Sequence, residues 1–68
     1  MKGNSFEKKY GIPHTKNFGG VPYTISAATK YGVSKGAAED NKDYLTSLGF
    51  SVRTVRKGNE YYVYACKK

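Results

Sequence analysis

The 68-residue sequence has no tryptophan, one histidine, one cysteine and only five acidic residues. So few reactive groups exclude most designs of catalytic site, because an activated nucleophile needs a second side chain within hydrogen-bond reach. His14 lies in a polar stretch beside Pro13, and Cys66 stands alone in a strand-like run. Neither residue has a readable catalytic partner, so we predict that the chain is not an enzyme.

Recognisable ligand-binding motifs are also missing from the sequence. The His, Cys, Asp and Glu residues do not show the spacing of a zinc or calcium site. There is no Gly-x-x-x-x-Gly-Lys-Ser/Thr loop for a nucleotide phosphate. We therefore predict no metal and no cofactor.

Cellular location is predicted from three further absences. A single cysteine cannot form an intrachain disulfide, which favours a reducing compartment. No stretch is long and apolar enough to span a bilayer, and residues 1–5 lack the apolar run of a secretory signal. We expect a cytoplasmic protein without a membrane partner, and a frayed N-terminus over residues 1–5.

The clearest local pattern is a helix followed by a tight stop. Ser34 is a good N-cap, the helix is predicted over Lys35–Leu48, and Gly49 suits a left-handed residue just after the helix. Spacings of three and four residues define an apolar stripe. Its members are Ala38, Asn41, Leu45 and Leu48.

Two β-rich runs follow this helix, Ser51–Lys57 and Glu60–Cys66, and Gly58-Asn59 joins them. A two-residue loop of this type predicts a β-hairpin and fixes its register. The predicted pairs are Lys57 with Glu60, Arg56 with Tyr61, Val55 with Tyr62, Thr54 with Val63, Arg53 with Tyr64, and Val52 with Ala65.

This register divides the hairpin into two faces. The face assigned to the helix carries Val52, Thr54, Tyr61, Val63 and Ala65. The opposite face is basic and aromatic and is predicted to be open. It carries Arg53, Val55, Lys57, Tyr62 and Tyr64.

The N-terminal half is less clearly patterned. Phe6–Tyr10 is interpreted as a possible strand, and Gly11–Val21 as a long loop. Tyr23–Thr29 alternates as a strand, and its Tyr23/Ile25/Ala27 side is assigned to the helix. A strand–helix–strand crossover of this length favours parallel flanking strands.

These patterns predict one α+β domain over residues 1–68, with residues 34–66 as its helix-plus-hairpin core unit. One helix packs on a three- or four-stranded sheet, in the order (β)-β-α-β-β. A chain of this size buries only about 60% of its extended surface, so a second copy would add useful burial.

The charge is unevenly distributed. The net charge is +7, yet the predicted helix carries Glu39, Asp40 and Asp43 against Lys35 and Lys42, for a net of −1. The remainder of the chain is therefore +8. This asymmetry favours a polyanionic partner on the side away from the helix.

We therefore predict a small nucleic-acid-binding protein of low sequence specificity. Its tyrosines would stack on bases while its cations neutralise phosphates, and few arginines are placed to read base edges. Lys8, Lys9 and Lys16 would add charge. The predicted site residues are Arg53, Lys57, Tyr62, Tyr64, Lys30 and Lys35, of which the last two flank the helix N-terminus.

Three alternatives remain open. The N-terminal segment could cover the aromatic face through Phe6, Tyr10 or Phe18. The face could instead serve in a protein-interaction module, as a homodimer contact or against an acidic partner, as in an accessory or inhibitory protein of a virus or plasmid. A glycan could also bind there.

One further pattern covers residues 23–65. Its members are Tyr23-x-Ile25, Ser34-Lys35, Ala38-Glu39, Leu45, Gly49-Phe50, Val52, Val55, Gly58, Tyr61 and Val63. With these residues the run resembles half of a SPOR (sporulation-related repeat) domain. The resemblance implies one strand–helix–strand unit of a family that binds peptidoglycan glycan strands. The architecture is also similar to the small DNA-binding modules of phage integrases.

Overall fold

The computed structural model describes the backbone of residues 4–67 and the side chains of residues 7–67. Fraying is predicted for residues 1–5. Residues 1–3 lie outside the described part of the chain, whereas residues 4 and 5 belong to a short helix. The elements in chain order are α1 (Asn4–Tyr10), β1 (Thr15–Phe18), β2 (Val21–Ile25), a 3-10 helix (Ala27–Thr29), α2 (Lys35–Ser47), β3 (Phe50–Lys57) and β4 (Glu60–Lys67).

The α+β fold is confirmed, with one main helix against a four-stranded sheet and the strand order β1-β2-β4-β3. Every neighbouring pair is antiparallel. Strands β2 and β3 both run antiparallel to β4, so they share one direction, as the crossover predicts. Strand β4, the last along the chain, is inserted between them.

Helix α2 begins and ends close to the predicted residues. The Ser34 hydroxyl accepts a hydrogen bond from the backbone N–H of Ala37 at 3.2 Å, which confirms the N-cap. The helix ends at Ser47, with Leu48 as the cap, and Gly49 has φ +93°. Only glycine adopts such an angle at little cost, so this residue stops the helix and directs the chain into β3.

The register of the β3–β4 hairpin is confirmed at all six predicted pairs, and two more pairs extend it to Phe50 and Lys67. The two-residue turn and the alternation of apolar side chains agree on a single pairing. The sequence therefore predicts which face each hairpin side chain lies on, although it does not show what covers that face.

The N-terminal predictions are wrong in two places. Phe6–Tyr10 lies in helix α1 instead of a strand. The fourth strand comes from Thr15–Phe18, inside the predicted Gly11–Val21 loop, and pairs with β2 across Gly19-Gly20. The side chains of this strand are mostly exposed, so its sequence shows no alternation of apolar and polar residues. The Gly19-Gly20 turn fixes its pairing with β2 instead.

Strand β2 is also shorter than the predicted Tyr23–Thr29 segment. After Ile25 the chain leaves the ladder, yet it still hydrogen-bonds to β4. The Ser26 N–H donates to the Val63 carbonyl at 2.7 Å, and the buried Thr29 hydroxyl accepts from the Val63 N–H at 2.9 Å. Further on, Val33 and Tyr61 exchange two backbone hydrogen bonds. The Thr29 hydroxyl thus takes the place of a backbone carbonyl of a neighbouring strand as the acceptor for the Val63 N–H.

The main core lies on the sheet face away from α2. We call this the tyrosine face, defined by Tyr23, Ile25, Tyr62 and Tyr64, which form one buried cluster with Ile12. The prediction that Tyr23 and Ile25 meet the helix is therefore wrong. In the β2–β4 pairing Ile25 lies directly opposite Tyr64, so the two side chains share a face.

Candidate functional site

The two tyrosines predicted as an exposed stacking platform are buried. Tyr62 is 5% exposed and Tyr64 is fully enclosed. They point away from the helix, as the register predicts, but they do not face solvent. A base cannot stack on either ring in this structure, so the prediction of an open aromatic face is wrong.

The N-terminal segment, residues 7–18, covers the tyrosine face. Ile12 is 3% exposed at the centre of the cluster, and the Tyr64 hydroxyl donates a hydrogen bond to the Pro13 carbonyl. The Phe18 ring meets Tyr64 edge-on at 5.9 Å and Tyr23 at 5.2 Å between centroids. The covering alternative is confirmed for Phe18 and for Tyr10, which also packs there. The Phe6 side chain lies outside the described residues.

Burial also changes the chemistry of these phenols. Desolvation, followed by the negative charge of Glu7, raises the pKa of Tyr64 to about 12. Desolvation, followed by Glu60, raises the pKa of Tyr62. Both groups therefore remain protonated and neutral well above neutral pH, which suits a packed core and excludes a role as a base.

Two predicted cations, Arg53 and Lys57, lie at the margin of the N-terminal segment. Both residues are exposed. The Arg53 guanidinium carbon lies 5.7 Å from the centroid of the Phe18 ring, and the Lys57 ammonium donates to the Gly11 carbonyl. Their aliphatic stems and charges hold the segment against the sheet, while their exposed surface stays open to an anion.

Lys30 belongs to a different aromatic group, which we call the Lys–Tyr cluster: Lys9, Tyr10, Lys30 and Tyr31. The two rings meet edge-on, with centroids 5.0 Å apart. The Lys30 ammonium lies 5.3 Å from the Tyr10 centroid and 5.4 Å from the Tyr31 centroid, and the Lys9 ammonium lies 5.5 Å from Tyr10. Two cations and two aromatic rings therefore form one surface group.

Within this cluster the two rings differ in exposure. Tyr31 is 68% exposed, whereas Tyr10 is half-buried. A hydrogen bond with Tyr31 lowers the pKa of Tyr10, and the charges of Lys30 and Lys9 lower it further against an opposing effect of desolvation. The cluster thus favours negative charge at its surface, and Tyr31 offers an accessible ring.

A close backbone approach positions Tyr31. The next residue, Gly32, has φ +88°, and a Cβ atom there would lie 1.8 Å from Oε1 of Glu60. A side chain here would displace the Glu60 carboxylate from this position, and the positive φ itself favours glycine. The Glu60 carboxylate in turn accepts a hydrogen bond from the Tyr62 hydroxyl at 3.4 Å. The core and the cluster are therefore linked at the end of the sheet where β3 turns into β4.

The sequence analysis missed Tyr10 and Tyr31 as site residues. The Lys-Tyr dipeptide occurs at 9–10 and again at 30–31. Helix α1 ends at the first dipeptide, and the second follows the 3-10 helix. This repetition is a weak signal in the sequence. It becomes informative only when the N-terminal segment folds back and brings the two dipeptides together.

The last predicted residue, Lys35, lies on the other side of the sheet. It is exposed at the start of α2, where it lines a cleft between the helix and the β3–β4 hairpin. The predicted site residues therefore do not form one surface. Arg53 and Lys57 lie beside the N-terminal segment, Lys30 lies in the Lys–Tyr cluster, Lys35 lies in the cleft, and Tyr62 and Tyr64 lie in the core.

Comparison with protein-family models, with curated proteins and with solved structures gives no match to this chain. The resemblances to SPOR domains and to integrase modules thus stay predictions. Between residues 4 and 67 no helix is long and apolar enough to cross a membrane. The described part of the chain also contains no group of three His, Cys, Asp or Glu side chains placed to hold a metal ion.

Proposed function

We propose that this protein binds nucleic acid with low sequence specificity through the Lys–Tyr cluster. The observation that carries the proposal is the exposed Tyr31 ring, which lies beside the Lys30 ammonium at 5.4 Å. An accessible aromatic ring next to a fixed cation offers stacking to a base and charge to the adjoining phosphate. The proposed surface replaces the tyrosine face of the sequence-based prediction.

The surrounding charges extend this surface along the N-terminal segment. Lys8 and Lys9 lie in the last turn of α1. Lys57 reaches the Gly11 carbonyl directly after that helix, and Arg53 lies four residues before Lys57 on the same strand face. A phosphate backbone would meet several cations here. None of these contacts places an arginine fork against a base edge, so binding would depend on charge and stacking.

The positions of the acidic residues add to the uneven distribution of charge over the protein. Glu39, Asp40 and Asp43 all lie on α2 and are exposed. The field around the Lys–Tyr cluster therefore attracts a polyanion more strongly than the field around Asp40 and Asp43 does. The long-range field therefore favours binding on the side where Tyr31 lies.

Two exposed tyrosines provide a matched test. Tyr31 is 68% exposed and Tyr44, on the acidic helix, is 60% exposed. Fluorescence anisotropy with a labelled single-stranded oligonucleotide should show about tenfold weaker binding for Tyr31→Ala, because one stacked base is lost. Tyr44→Ala should bind as the wild type does. Equal affinities for both variants would contradict stacking at Tyr31.

A salt series tests the electrostatic part. With about three phosphate contacts, the logarithm of the binding constant should fall with the logarithm of salt concentration at a slope of about −2 for a single strand. Lys30→Gln should reduce this slope by a little less than one unit. A wild-type protein without measurable affinity at low salt would contradict the proposal. A salt-resistant dimer that conceals Tyr31 would favour the protein-interaction alternative.

A further inference from the structure

We propose that the cleft between α2 and the β3–β4 hairpin is a second subsite, which binds a single nucleotide. The inference rests on the proposed function, since it extends the ligand from the Lys–Tyr cluster to the opposite side of the sheet. The cleft has a volume of about 330 Å³, at the lower end of the range for ligand pockets. Its lining residues are Lys35, Ala38, Glu39, Lys42, Thr54, Arg56 and Tyr61.

Small side chains create this cleft. Ala38 is the helix residue that reaches the sheet, and it is 1% exposed. Across from it, Thr54 is also small and remains exposed. Helix and sheet therefore touch at Ala38, and the cleft opens beside this contact, where the short Thr54 side chain leaves space between the hairpin and the helix residues Lys35, Glu39 and Lys42. The gap is therefore built into the packing of α2.

The charge of the cleft favours an anion. Lys35 and Lys42 come from the helix and Arg56 comes from β3, against the single carboxylate of Glu39. The Arg56 Nε donates to the Gly58 carbonyl at 3.1 Å, which fixes the guanidinium plane beside the turn. A guanidinium on β3 and two exposed ammonium groups on the facing helix suit a phosphate better than a carboxylate of an extended peptide.

Tyr61 supplies an aromatic wall for the base. Its backbone exchanges hydrogen bonds of 2.8 and 3.0 Å with Val33, in addition to its pairing with Arg56. A ring on such a firmly held strand is a rigid platform, so little entropy is lost when a base stacks on it. The ligand class is therefore a nucleoside phosphate, with its base against Tyr61 and its phosphate near Lys42 and Arg56.

The same chemistry belongs to a free mononucleotide and to one nucleotide of a longer strand. Two probes distinguish these sources: adenosine monophosphate, and a labelled single-stranded oligonucleotide. Binding of both probes to the cleft would indicate a free nucleotide as a ligand in its own right. Binding of the oligonucleotide alone would indicate one position along a strand. Either result supports the subsite.

Two acidic residues on α2 give a closely matched pair of variants. Glu39 lines the cleft, whereas Asp43, one turn further along, does not. Glu39→Gln and Asp43→Asn change the net charge of the protein by the same amount, and both positions are exposed. At about 0.15 M salt, where the Debye length is about 8 Å, we expect Glu39→Gln to tighten binding about threefold, while Asp43→Asn changes it less than twofold, because screening weakens the more distant charge.

Loss of the aromatic wall should have the opposite effect. Tyr61→Leu should weaken binding about fivefold, with a circular dichroism spectrum and thermal unfolding curve measured in parallel to show that the sheet is retained. Lys42→Gln changes only an exposed helix residue and should weaken binding about threefold. It serves as the second variant if Tyr61→Leu does not fold.

The outcomes separate this inference from the proposed function. One outcome is that the wild type binds the oligonucleotide while Glu39→Gln and Asp43→Asn shift the affinity equally. The cleft is then not a subsite, and the proposed binding at the Lys–Tyr cluster is unaffected. If the wild type binds neither probe, both proposals are wrong. A selective gain in Glu39→Gln, together with a loss in Lys42→Gln, establishes the subsite.

Discussion

The two faces of the sheet are covered in different ways. The tyrosine face is closed by residues 7–18, which comprise the end of the short helix α1, a connecting loop and the short strand β1. This face holds Ile12, Tyr62 and Tyr64 in a dense cluster. The other face is covered by the regular helix α2, yet only Ala38 of that helix is fully buried. The cover made of short elements therefore buries more large apolar side chains than the longer helix does.

This difference follows from side-chain size. The cover of the tyrosine face contributes large apolar groups, Ile12 and the Phe18 ring, to a floor of aromatic side chains. The helix contributes alanine at its closest point, while Tyr44 on the helix and the cap residue Leu48 remain exposed. Buried apolar area, and not helical regularity, decides where the stabilisation of this domain lies.

The sharpest test compares one aliphatic truncation on each face. Ile12→Ala should lower the free energy of unfolding by about 3 kcal/mol, because it leaves a cavity in the enclosed cluster. Leu45→Ala, at a half-buried position on α2, should cost about 1 kcal/mol, because part of the side chain is already hydrated. Urea denaturation of both variants gives the two values.

Equal losses in this pair would contradict the assignment of the main core to the tyrosine face. If Ile12→Ala is too unstable to fold, Ile12→Val retains most of the side chain and should cost about 1 kcal/mol. Ile12→Val removes one carbon and Leu45→Ala removes three, so a similar loss in these two variants would still assign the main core to the tyrosine face, whereas a much smaller loss in Ile12→Val would contradict it.

A second test uses the titration of the buried phenol. The Tyr64 pKa of about 12 in the folded protein lies above the ordinary tyrosine value of about 10. Between these values the unfolded chain releases a proton that the folded protein retains. The associated stabilisation is thus complete below pH about 10 and is lost as pH rises towards 12.

Tyr64→Phe removes this titration together with the hydrogen bond to Pro13. At pH 7 the variant should be less stable by about 1 kcal/mol, since the carbonyl loses its donor. Its thermal midpoint should nevertheless decline less between pH 9 and pH 11 than that of the wild type. Tyr44→Phe, at an exposed position, should reproduce the wild-type decline; parallel curves for all three proteins would contradict the assignment.

The smallest expected effect concerns the imperfect packing under α2. The Oδ1 atom of Asn41 is buried without a hydrogen-bond partner. Asn41→Leu should therefore raise the free energy of unfolding by up to about 1 kcal/mol, because it removes a desolvated polar atom and adds apolar contact. Asn41→Asp keeps the shape and adds charge, so it should destabilise; a neutral result for aspartate would show that the oxygen is hydrated.

The parts of the fold that the sequence predicts are those fixed by short-range chemistry. The Ser34 cap, the Gly49 stop and the register across Gly58-Asn59 each depend on a few neighbouring residues. These signals correctly place Tyr62 and Tyr64 on one face of the sheet and Val63 on the other face. The same signals contain no information on which segment covers the two tyrosines. The cover depends on contacts between distant residues, such as Tyr64 with Pro13, which are 51 residues apart.

The parts that the sequence does not predict lack a periodic pattern. Helix α1 has only seven residues, too few for an amphipathic period to show. The polar β1 strand has no apolar alternation either. The candidate site was misplaced for the same reason: Lys9-Tyr10 and Lys30-Tyr31 become neighbours only when the N-terminal segment folds back.

The central position of β4 has a consequence for how the domain is made. β2 and β3 each pair with β4 and not with each other, so the ladder that joins the two halves of the chain exists only after the last strand has been synthesised. Until then residues 7–18 have no aromatic floor to cover. A nascent chain on the ribosome should therefore complete this domain only after β4 has left the exit tunnel, and the many long-range contacts should make that step slow for a domain of this size.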